Sequence, residues 1–380
     1  MNCAQKLYDF SGRVSHRARC LYQWGSRPHV GIIGNYHGGN VGDLSLGKSV
    51  ATMLSERQNH DRFGLQTIYN LQSWPETKRG IVGGGAVAYE QTLRNLCSRY
   101  GSRPQDCMLV GVDFNDLSVV EAYRDFLREV FAITCRSEEQ AEEVAAYLDR
   151  EDVVAHPDLS FALSSKSEEP AAGTPEAVSP PICGINIPPL MFVPKNGDWV
   201  PGSHFFEEIL QSAPTANEDM TSLADAYIEF YRKACESLLA EGYGLAHVPF
   251  AGIDDPFARY VLKGLPVHFH PYRRSCGAVM STMRRQQIFL VGRYHSLVFS
   301  LRERIPCLAF CYSPKSERLM HDLKIDPASL LNLDAIAHGL SKKRIARFIS
   351  SPVLLEHKEL RIISSSVRNT VNTLFDRWGI

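Results

Sequence analysis

Apolar segments of strand length alternate with helix-patterned segments along most of the chain. In the first half the strand candidates are HVGIIG, LQTIYN, GIVGGG, CMLVGVD, VFAITCR and DVVAHPD. The alternation resumes later with ICGINI, YGLAHVPF, LPVHFHP, QIFLVGRYH and IPCLAFCY. Near-continuous apolar strands that alternate with helices are typical of a parallel sheet covered by helices on both faces. The sequence therefore predicts an α/β protein with two doubly wound halves.

A change of composition separates these halves. Residues 164–181, SSKSEEPAAGTPEAVSPP, hold four prolines and almost no large apolar side chain, which is typical of a linker or a long exposed loop. We predict an N-terminal domain over 1–165, a linker over 166–181 and a C-terminal domain over 182–340. The remaining segment, 341–380, has the pattern of two helices. A chain of 380 residues is long enough for two separate cores.

The charge balance and the cysteines argue against two classes of protein. Lys and Arg number 41 against 42 Asp and Glu, and without a basic stripe we expect no nucleic-acid partner. The ten cysteines include no C-x-x-C pair, so zinc-ribbon spacing is missing. Several lie in apolar runs such as FAITCR and PCLAFCY, where cysteine behaves as a small hydrophobic residue. We predict buried, reduced thiols in a cytoplasmic protein.

Membrane insertion is not predicted, because no apolar run reaches about 18 residues. The N-terminal segment 1–29 carries basic residues but lacks the apolar core of a secretory signal. Two interpretations of this segment stay open. It is an ordinary leading helix, or it is a basic amphipathic segment in peripheral contact with the inner face of the cell membrane. The sequence carries no signature of an oligomeric state.

A glycine-rich stretch, GNYHGGNVGDLSLGKS, follows the first strand and contains a match to the phosphate-loop pattern G-x-x-x-x-G-K-[ST] at 42–49. A true phosphate loop starts directly after the strand, whereas here the strand ends at Gly34. The segment DLSL has the pattern of a first helical turn that opens at Asp43. Lys48 and Ser49 would then lie inside the helix, so the match predicts no nucleotide site.

Two glycine-rich strand ends nevertheless occur in the same half, the stretch 34–42 and the GGG at 83–85. Glycines at strand ends are typical of a cleft in which backbone and ligand come close, although a tight turn without ligand explains each of them equally well. The candidate substrate contacts at these two places are Asn35, Gly39, Asn40, Asp43, Gly84 and Gly85.

Cationic and proton-donating residues follow three of the predicted strands. His295 comes after QIFLVGRY, Lys315 after CLAFCYSP, and Arg136 directly after FAITC. A lone histidine at a helix start more often bonds nearby backbone. Because adjacent parallel strands bring their carboxyl ends to one edge, the pairing of His295 with Lys315 favours a functional site. Such a set suits a small substrate that bears phosphate or carboxylate.

Two further acidic positions have weaker interpretations. Asp158, in AHPD, is either a base that accepts a hydroxyl proton or a cap of the following turn. His247, Asp254 and Asp255 lie together after another strand, where a turn rich in Asp and Pro is a commoner structure than a metal site. We predict no metal and no cofactor.

Six motifs, taken in order, resemble the polysaccharide pyruvyl transferase family. They are G-N-Y-x-G-G-N-x-G-D, GGG, C-R-S, H-P-D, G-R-Y-H-S and P-x-L-A-F-x-Y-S-P-K, between about residue 30 and about residue 325. The resemblance implies a GT-B-like fold, in which two Rossmann-like, doubly wound domains face each other across a cleft. By the same analogy, the helices of 341–380 pack back on the first domain.

The resemblance also implies an activity and site residues. Family members transfer pyruvate from phosphoenolpyruvate to hydroxyls of a sugar in a cell-envelope or exported polysaccharide, or of its lipid-linked oligosaccharide precursor, often as a cyclic ketal. Arg136, His295 and Lys315 would occupy the donor-site positions, and Arg293 would add an anion contact. From the chemistry rather than the resemblance, we expect Asp158 to accept a hydroxyl proton of the acceptor, unless it caps the following turn, and Asn40 and Asp43 of the glycine-rich loop to contact the acceptor.

Two other functions fit the same architecture. One is a nucleotide-sugar-dependent GT-B glycosyltransferase, which would bind a uridine or guanosine diphosphate sugar and ignore phosphoenolpyruvate. The other is a binding or scaffold protein that retains the fold without catalysis. The presence of all three donor-site residues, Arg136, His295 and Lys315, argues against this last function.

Overall fold

The computed structural model describes residues 29–57, 63–114, 117–163, 180–202 and 220–380. Residues 1–28 of the N-terminal segment, most of the predicted linker and residues 203–219 therefore lie outside the described residues, as do Cys3 and Cys20.

The first sheet is parallel throughout and has the strand order β2-β1-β3-β4-β5-β6. Its core strands are buried on both faces, as in β1, where all five residues of VGIIG are buried. The order reverses direction between β1 and β3, which is the topological switch point of a doubly wound sheet. The strands are β1 Val30–Gly34, β2 Phe63–Thr67, β3 Arg79–Ala88, β4 Cys107–Phe114, β5 Ala132–Cys135 and β6 Val154–Ala155.

The second sheet is also parallel, with the order β11-β10-β7-β12-β13-β14. Counted from its own first strand, this order is 3-2-1-4-5-6, the Rossmann order. The strands are β7 Ile182–Ile185, β10 Gly244–His247, β11 Val267–Phe269, β12 Ile288–Leu290, β13 Cys307–Cys311 and β14 Leu330–Asn332. A separate antiparallel hairpin pairs β8 Phe192–Lys195 with β9 Asp198–Pro201.

Helices connect the strands in both sheets, as the crossover of parallel strands requires. The first set is α1 Val41–Ser55, α2 Glu90–Tyr100, α3 Leu117–Ala122, α4 Arg124–Glu129 and α5 Glu138–Leu148. The second set is α6 Met220–Ala240, α7 Asp254–Val261, α8 Cys276–Met283, α9 Tyr294–Arg302, α10 Pro314–Asp322, α11 Leu333–Ala337, α12 Lys342–Ile349 and α13 His357–Trp378. Short 3₁₀ turns lie at Leu71–Ser73, Pro104–Asp106, Leu159–Ala162 and Pro327–Ser329.

The chain divides into two compact units. Unit 1 comprises Met1–Gly39, Asp43–Ser164 and Ile362–Ile380, and unit 2 comprises Asn40–Gly42 and Ser165–Arg361. Of the C-terminal segment 341–380, the residues up to Arg361 group with unit 2 and Ile362–Ile380 group with unit 1. In α12, Ile345, Phe348 and Ile349 are buried in the core of the second sheet.

Several local predictions are confirmed. The two doubly wound parallel sheets are present, and Lys48 and Ser49 lie inside α1, so the phosphate-loop match is accidental. The helix starts at Val41, two residues before the predicted Asp43. All eight cysteines of the described residues are free thiols, and seven are buried. Within the part of the chain that the structure describes, no helix is long and apolar enough to cross a bilayer.

Candidate functional site

Polar side chains collect where four neighbouring strands of the second sheet end. Asn186 follows β7, Asp254 opens α7 after β10, His295 lies in α9 after β12, and Lys315 lies in α10 after β13. Since β10, β7, β12 and β13 are adjacent and parallel, these positions share one edge of the sheet. This is the edge at which open α/β sheets bind their ligands.

Asp254 is the centre of a hydrogen-bond network at this edge. Its carboxylate is fully buried and accepts from the backbone N–H groups of Phe250 and Ala251, both at 3.0 Å to Oδ2. Arg293 donates to it through Nε, at 2.9 Å to Oδ2, and through Nη2, at 2.5 Å to Oδ1. The amide of Asn186 donates to Oδ2 at 3.2 Å. Arg293, predicted as an anion contact, therefore already holds a buried carboxylate.

His295 is the second residue of α9, and only 6% of it is exposed. The start of this helix is fixed by a capping box, in which Ser296 Oγ accepts from the backbone N–H groups of Gly292, at 3.1 Å, and Arg293, at 3.0 Å. The ring of Tyr294 meets the imidazole edge to face at 5.2 Å between centroids. These contacts fix the position of the His295 imidazole at the carboxyl edge of the second sheet.

Gly42 also contacts the imidazole. A Cβ built on Gly42 would lie 2.3 Å from His295 Cγ, so only glycine fits at this position. Residues Asn40–Gly42 group with unit 2, and the backbone N–H of Val41 donates to the carbonyl of Phe250 at 2.9 Å. The end of the glycine-rich loop is thus part of the surroundings of His295.

Lys315 is the second residue of α10, after Pro314 at the first helical position. Its side chain is half-buried, and Nζ lies 5.8 Å from the centroid of the Tyr312 ring. Because α9 and α10 follow adjacent strands, the sequence prediction that His295 and Lys315 lie at neighbouring strand ends is confirmed by the strand order.

Arg136 belongs to unit 1 and has two aspartate partners there. Its Nη1 donates to Asp158 Oδ2 at 3.0 Å, and its Nη2 pairs with Asp113 Oδ2. The Arg136 and Asp158 side chains are 5% and 0% exposed. Asp158 Oδ1 also accepts from the backbone N–H of Ser160 at 2.8 Å, so it caps the following 3₁₀ turn. The guanidinium of Arg136 is thus paired with two carboxylates, so the three side chains together carry a net negative charge.

The glycines at the strand ends of unit 1 leave space for a buried aromatic ring. Tyr36 is fully buried and donates its hydroxyl to the carbonyl of Gly83 at 2.7 Å. A Cβ on Gly34, Gly47 or Gly83 would lie within 2.5 to 2.8 Å of this ring or its hydroxyl. The expectation that Gly34 and Gly83 make room for a ligand is therefore corrected, because their missing side chains make room for Tyr36. Burial raises the pKa of the Tyr36 hydroxyl well above its usual range.

The other predicted contacts in these loops are bonded or packed locally. Asn35 Nδ2 donates to Asp43 Oδ2 at 2.9 Å, and Asn40 Oδ1 accepts from the backbone N–H of Gly42 at 3.0 Å. Gly84 has φ +74°, and a Cβ there would lie 3.0 Å from Leu159. The remaining two glycines, Gly39 and Gly85, also have positive φ, +82° and +91°. Each of these glycines adopts backbone geometry that favours glycine.

The comparison with protein families decides the class of this chain. The family model described as "Polysaccharide pyruvyl transferase" matches residues 40–314, more than half of the sequence. The chain belongs to the polysaccharide pyruvyl transferase family. The resemblance drawn from the six motifs is thereby confirmed, and the matched region includes Arg136, Arg293 and His295.

A solved structure with a TM-score above 0.5 supports the GT-B-like fold class. The S. aureus MnaA–UDP co-structure is 8% identical, with a TM-score of 0.51, and the match covers 91% of this chain and 97% of that one. UDP-GlcNAc 2-epimerase from Neisseria meningitidis bound to UDP-GlcNAc is 9% identical, with a TM-score of 0.49 and coverage of 91% and 99%. At such identities the likeness concerns the fold alone. No curated protein matches the sequence significantly.

Sequence reasoning missed the partners of this family member's candidate residues. Asp113 ends the predicted strand CMLVGVD, and Asp254 belongs to the trio interpreted as either an Asp-Pro turn or a metal site. Both are now ion-pair partners of predicted site arginines. The trio of His247, Asp254 and Asp255 has no metal-site geometry, and no group of three potential ligands occurs among the described residues. The available signal for Asp254 was an acidic residue at the start of the helix that follows β10.

His247, at the end of β10, is a buried neutral histidine beside the Asp254 network. It is fully buried, neither ring nitrogen has a hydrogen-bond partner within the described ranges, and its ring lies 5.8 Å from that of Phe269. Burial lowers the pKa of His247 to about 4. The folded protein therefore holds this side chain uncharged at neutral pH.

Acidification is expected to destabilise the protein through His247. Between about pH 6.5 and about pH 4 the unfolded chain binds a proton that the folded chain does not, so the free energy of unfolding falls as the pH falls, by on the order of 2–3 kcal/mol. Urea unfolding of wild type and His247→Leu at pH 7 and pH 4.5 checks this. We expect a smaller loss in the variant, with a remainder from His156 and His270, whose pKa values burial lowers as well. Equal losses in both proteins would contradict the assignment.

Proposed function

We propose that this family member transfers a pyruvyl group from phosphoenolpyruvate to hydroxyls of a sugar, with release of phosphate. The acceptor is a sugar of a cell-envelope or exported polysaccharide or its lipid-linked precursor, and the product is a pyruvate ketal. One observation carries the proposal: His295 and Lys315 each occupy the second position of a helix that follows one of two adjacent parallel strands. This arrangement supports the proposal that a proton donor and a cation act together at one edge of the sheet.

The donor requires such a site because phosphoenolpyruvate bears a phosphate and a carboxylate. Helix N-termini favour anions through their backbone N–H groups and dipole, and α9 and α10 both start at this edge. Lys315 adds a mobile positive charge. Arg293 lies at the same edge, but its charge is shared with Asp254, so we assign its side chain a lesser part in anion binding.

The chemistry needs one proton donor and two hydroxyl groups. Protonation of the C3 methylene of phosphoenolpyruvate makes it a methyl group and leaves positive charge at C2. A sugar hydroxyl adds at C2, the C2–O bond to phosphate breaks, and a second hydroxyl adds to close the ketal. Of the two hydroxyl protons released, one replaces the proton given to C3 and the other leaves with phosphate.

His295 is the residue that we assign as the general acid, because an imidazole exchanges protons near neutral pH. Lys315 would bind the phosphate or carboxylate and stabilise phosphate as it leaves. Arg136 remains a proposed donor-site residue from the resemblance. Its pairing with Asp113 and Asp158 means that it contributes to anion binding only if substrate takes over one of these contacts.

The remaining proposals concern the surroundings of the enzyme. We propose a cytoplasmic location, which the free thiols suit, at the inner face of the cell membrane where a lipid-linked acceptor would lie. The reaction as written uses no metal and no organic cofactor. Asn35, Gly39, Asn40, Asp43, Gly84, Gly85 and Asp158 remain proposed acceptor-side positions.

A phosphate-release assay with phosphoenolpyruvate and candidate lipid-linked sugars tests the proposal. We expect release that depends on both substrates, and a mass increase of the acceptor that corresponds to one pyruvate ketal. The second candidate function, transfer from a nucleotide sugar, is favoured only by the likeness to a fold whose solved example holds UDP. Binding of a uridine or guanosine diphosphate sugar, without any response to phosphoenolpyruvate, would replace our proposal by this one.

Lys315→Met is expected to raise KM for phosphoenolpyruvate more than it lowers kcat. Loss of one charged contact to a bound anion is worth about 1.5–3 kcal/mol, or roughly 10- to 100-fold in affinity. Initial rates at varied phosphoenolpyruvate and fixed acceptor give both constants. Lys342→Met, which removes an exposed lysine of α12, is the matched control and should leave both unchanged. An unaltered KM in Lys315→Met would remove this residue from the donor site.

A further inference from the structure

Asp254 has a fully buried carboxylate next to the proposed active site. Burial of a charge is costly unless hydrogen bonds replace its water. Asp254 meets this condition with two backbone N–H groups, one amide and one guanidinium. Its four partners come from the segments that follow β7, β10 and β12. The carboxylate of Asp254 is therefore hydrogen-bonded to the segments that follow three different strands.

One route from Asp254 reaches His295 through the start of α9. Arg293, the N-cap residue of this helix, is bound to Asp254 through its guanidinium. Its backbone N–H also donates to Asn186 Oδ1 at 3.0 Å, and Asn186 is itself bonded to Asp254. The N-cap residue is thus fixed through both side chain and backbone, two positions before His295.

A second route from Asp254 reaches His295 through the backbone of Phe250, Val41 and Gly42. Asp254 holds the backbone N–H of Phe250, and the carbonyl of Phe250 accepts from Val41 N–H at 2.9 Å. Val41 precedes Gly42, whose Cα packs so closely on the imidazole that a Cβ would lie 2.3 Å from Cγ. The carboxylate of Asp254 thus fixes both the helix that carries His295 and the backbone that abuts it.

We infer that Asp254 is the positioning residue of the proton donor, a role that rests on the proposed function of His295. It touches neither reacting atom nor substrate in this scheme. It acts by holding the imidazole where its proton reaches C3 of phosphoenolpyruvate. Misplacement of a catalytic group by a fraction of an ångström to 1 Å is enough to lower turnover by one to two orders of magnitude.

A cycle of variants distinguishes positioning from general stabilisation. We expect Asp254→Asn to lower kcat about 10- to 100-fold with little change in KM. In a His295→Gln background the same change should cost no further activity, because the group that Asp254 positions is already lost. Equal fold-losses in the two backgrounds, or no loss in wild-type background, would overturn the inference.

Two controls make the result specific. Asp255→Asn alters the next residue, whose carboxylate pairs with Arg259 on a more exposed side of α7, and should leave kcat unchanged. If Asp254→Asn does not accumulate as folded protein, Asn186→Ala keeps the Asp254 carboxylate and removes the amide that accepts from the backbone N–H of Arg293 and donates to Asp254 and to the carbonyl of Val248. The same lack of additivity with His295→Gln is expected for it, and full additivity would count against the inference.

A spectroscopic readout separates this inference from the proposed activity. In protein labelled at histidine, the ring signal of His295 is identified by its loss in His295→Gln. We expect its ¹⁵N and ¹³C shifts to change in Asp254→Asn and not in Asp255→Asn. If wild type releases no phosphate from phosphoenolpyruvate, the proposed function fails and these shifts still decide the positioning. An unchanged His295 signal in a folded Asp254→Asn protein would refute it.

Discussion

His295→Gln is expected to lower kcat for phosphate release about 10²- to 10⁴-fold, the usual contribution of a general acid. Glutamine retains hydrogen-bonding capacity and a similar length but has no proton to give at neutral pH. Since Lys315 and the two helix starts remain, KM for phosphoenolpyruvate should change little. Rates with and without acceptor, and KM from initial velocities, measure both effects.

The control for His295→Gln is His321→Gln, at the exposed end of α10, which should behave as wild type. Because His295 is buried, thermal unfolding of the variant establishes that it is folded before its rate is interpreted. Phosphate release within twofold of wild type by a folded His295→Gln protein would exclude the proposed mechanism. A large rise in KM for phosphoenolpyruvate with kcat unchanged would show that His295 binds the anion and does not transfer the proton.

Residue patterns predict the fold class here because parallel sheets are covered on both faces. Strands such as β13, CLAFC, are buried at every position and so appear in the sequence as uninterrupted apolar runs. The strand order is not contained in such runs. The first sheet has the strand order 2-1-3-4-5-6 and the second has 3-2-1-4-5-6. The two orders differ in the strand after which the chain crosses to the other side of the first strand, and the same alternation of strands and helices is compatible with both orders.

The candidate site was predictable at the level of strand ends. A polar residue shortly after an apolar strand lies near the carboxyl edge of a parallel sheet, and this rule predicts the positions of His295, Lys315 and Arg136. The carboxylates that pair with Arg136 and Arg293 were not predicted. Arg293 and Asp254 are 39 residues apart, and their contact requires β10, β7 and β12 to be neighbours, which only the strand order establishes.

The glycine-rich loop shows a different limit of prediction. Gly47 lies inside α1, where glycine costs about 1 kcal/mol relative to alanine, and this cost signals a close neighbour. The sequence does not say whether that neighbour is a ligand or a side chain. Here it is the ring of Tyr36, which comes from the same loop. At Gly42, by contrast, the close neighbour is His295, the residue that we assign as the general acid.

The second large effect is expected from Arg136→Met, through the stability of unit 1. The change leaves the carboxylates of Asp113 and Asp158, 13% and 0% exposed, without their common counter-charge. Removal of one partner from a buried ion pair costs about 3–5 kcal/mol, because the remaining charge stays desolvated. For a unit of this size the midpoint of thermal unfolding should fall by roughly 6–20 °C. Calorimetry and urea unfolding measure the loss.

An exposed ion pair of the same unit provides the comparison for Arg136→Met. Arg128 and Asp149 pair at 3.2 Å with 44% and 79% of their side chains exposed, so Arg128→Met should cost only about 0–1 kcal/mol. Asp113→Asn combined with Arg136→Met should recover part of the loss, since one uncompensated charge is removed. Equal losses for the two arginine variants would show that Asp113 and Asp158 are solvated or protonated in the folded protein. The guanidinium of Arg136 would then be able to bind an anionic substrate. In that case Arg136→Met would lower the activity strongly while it lowered the free energy of unfolding only slightly.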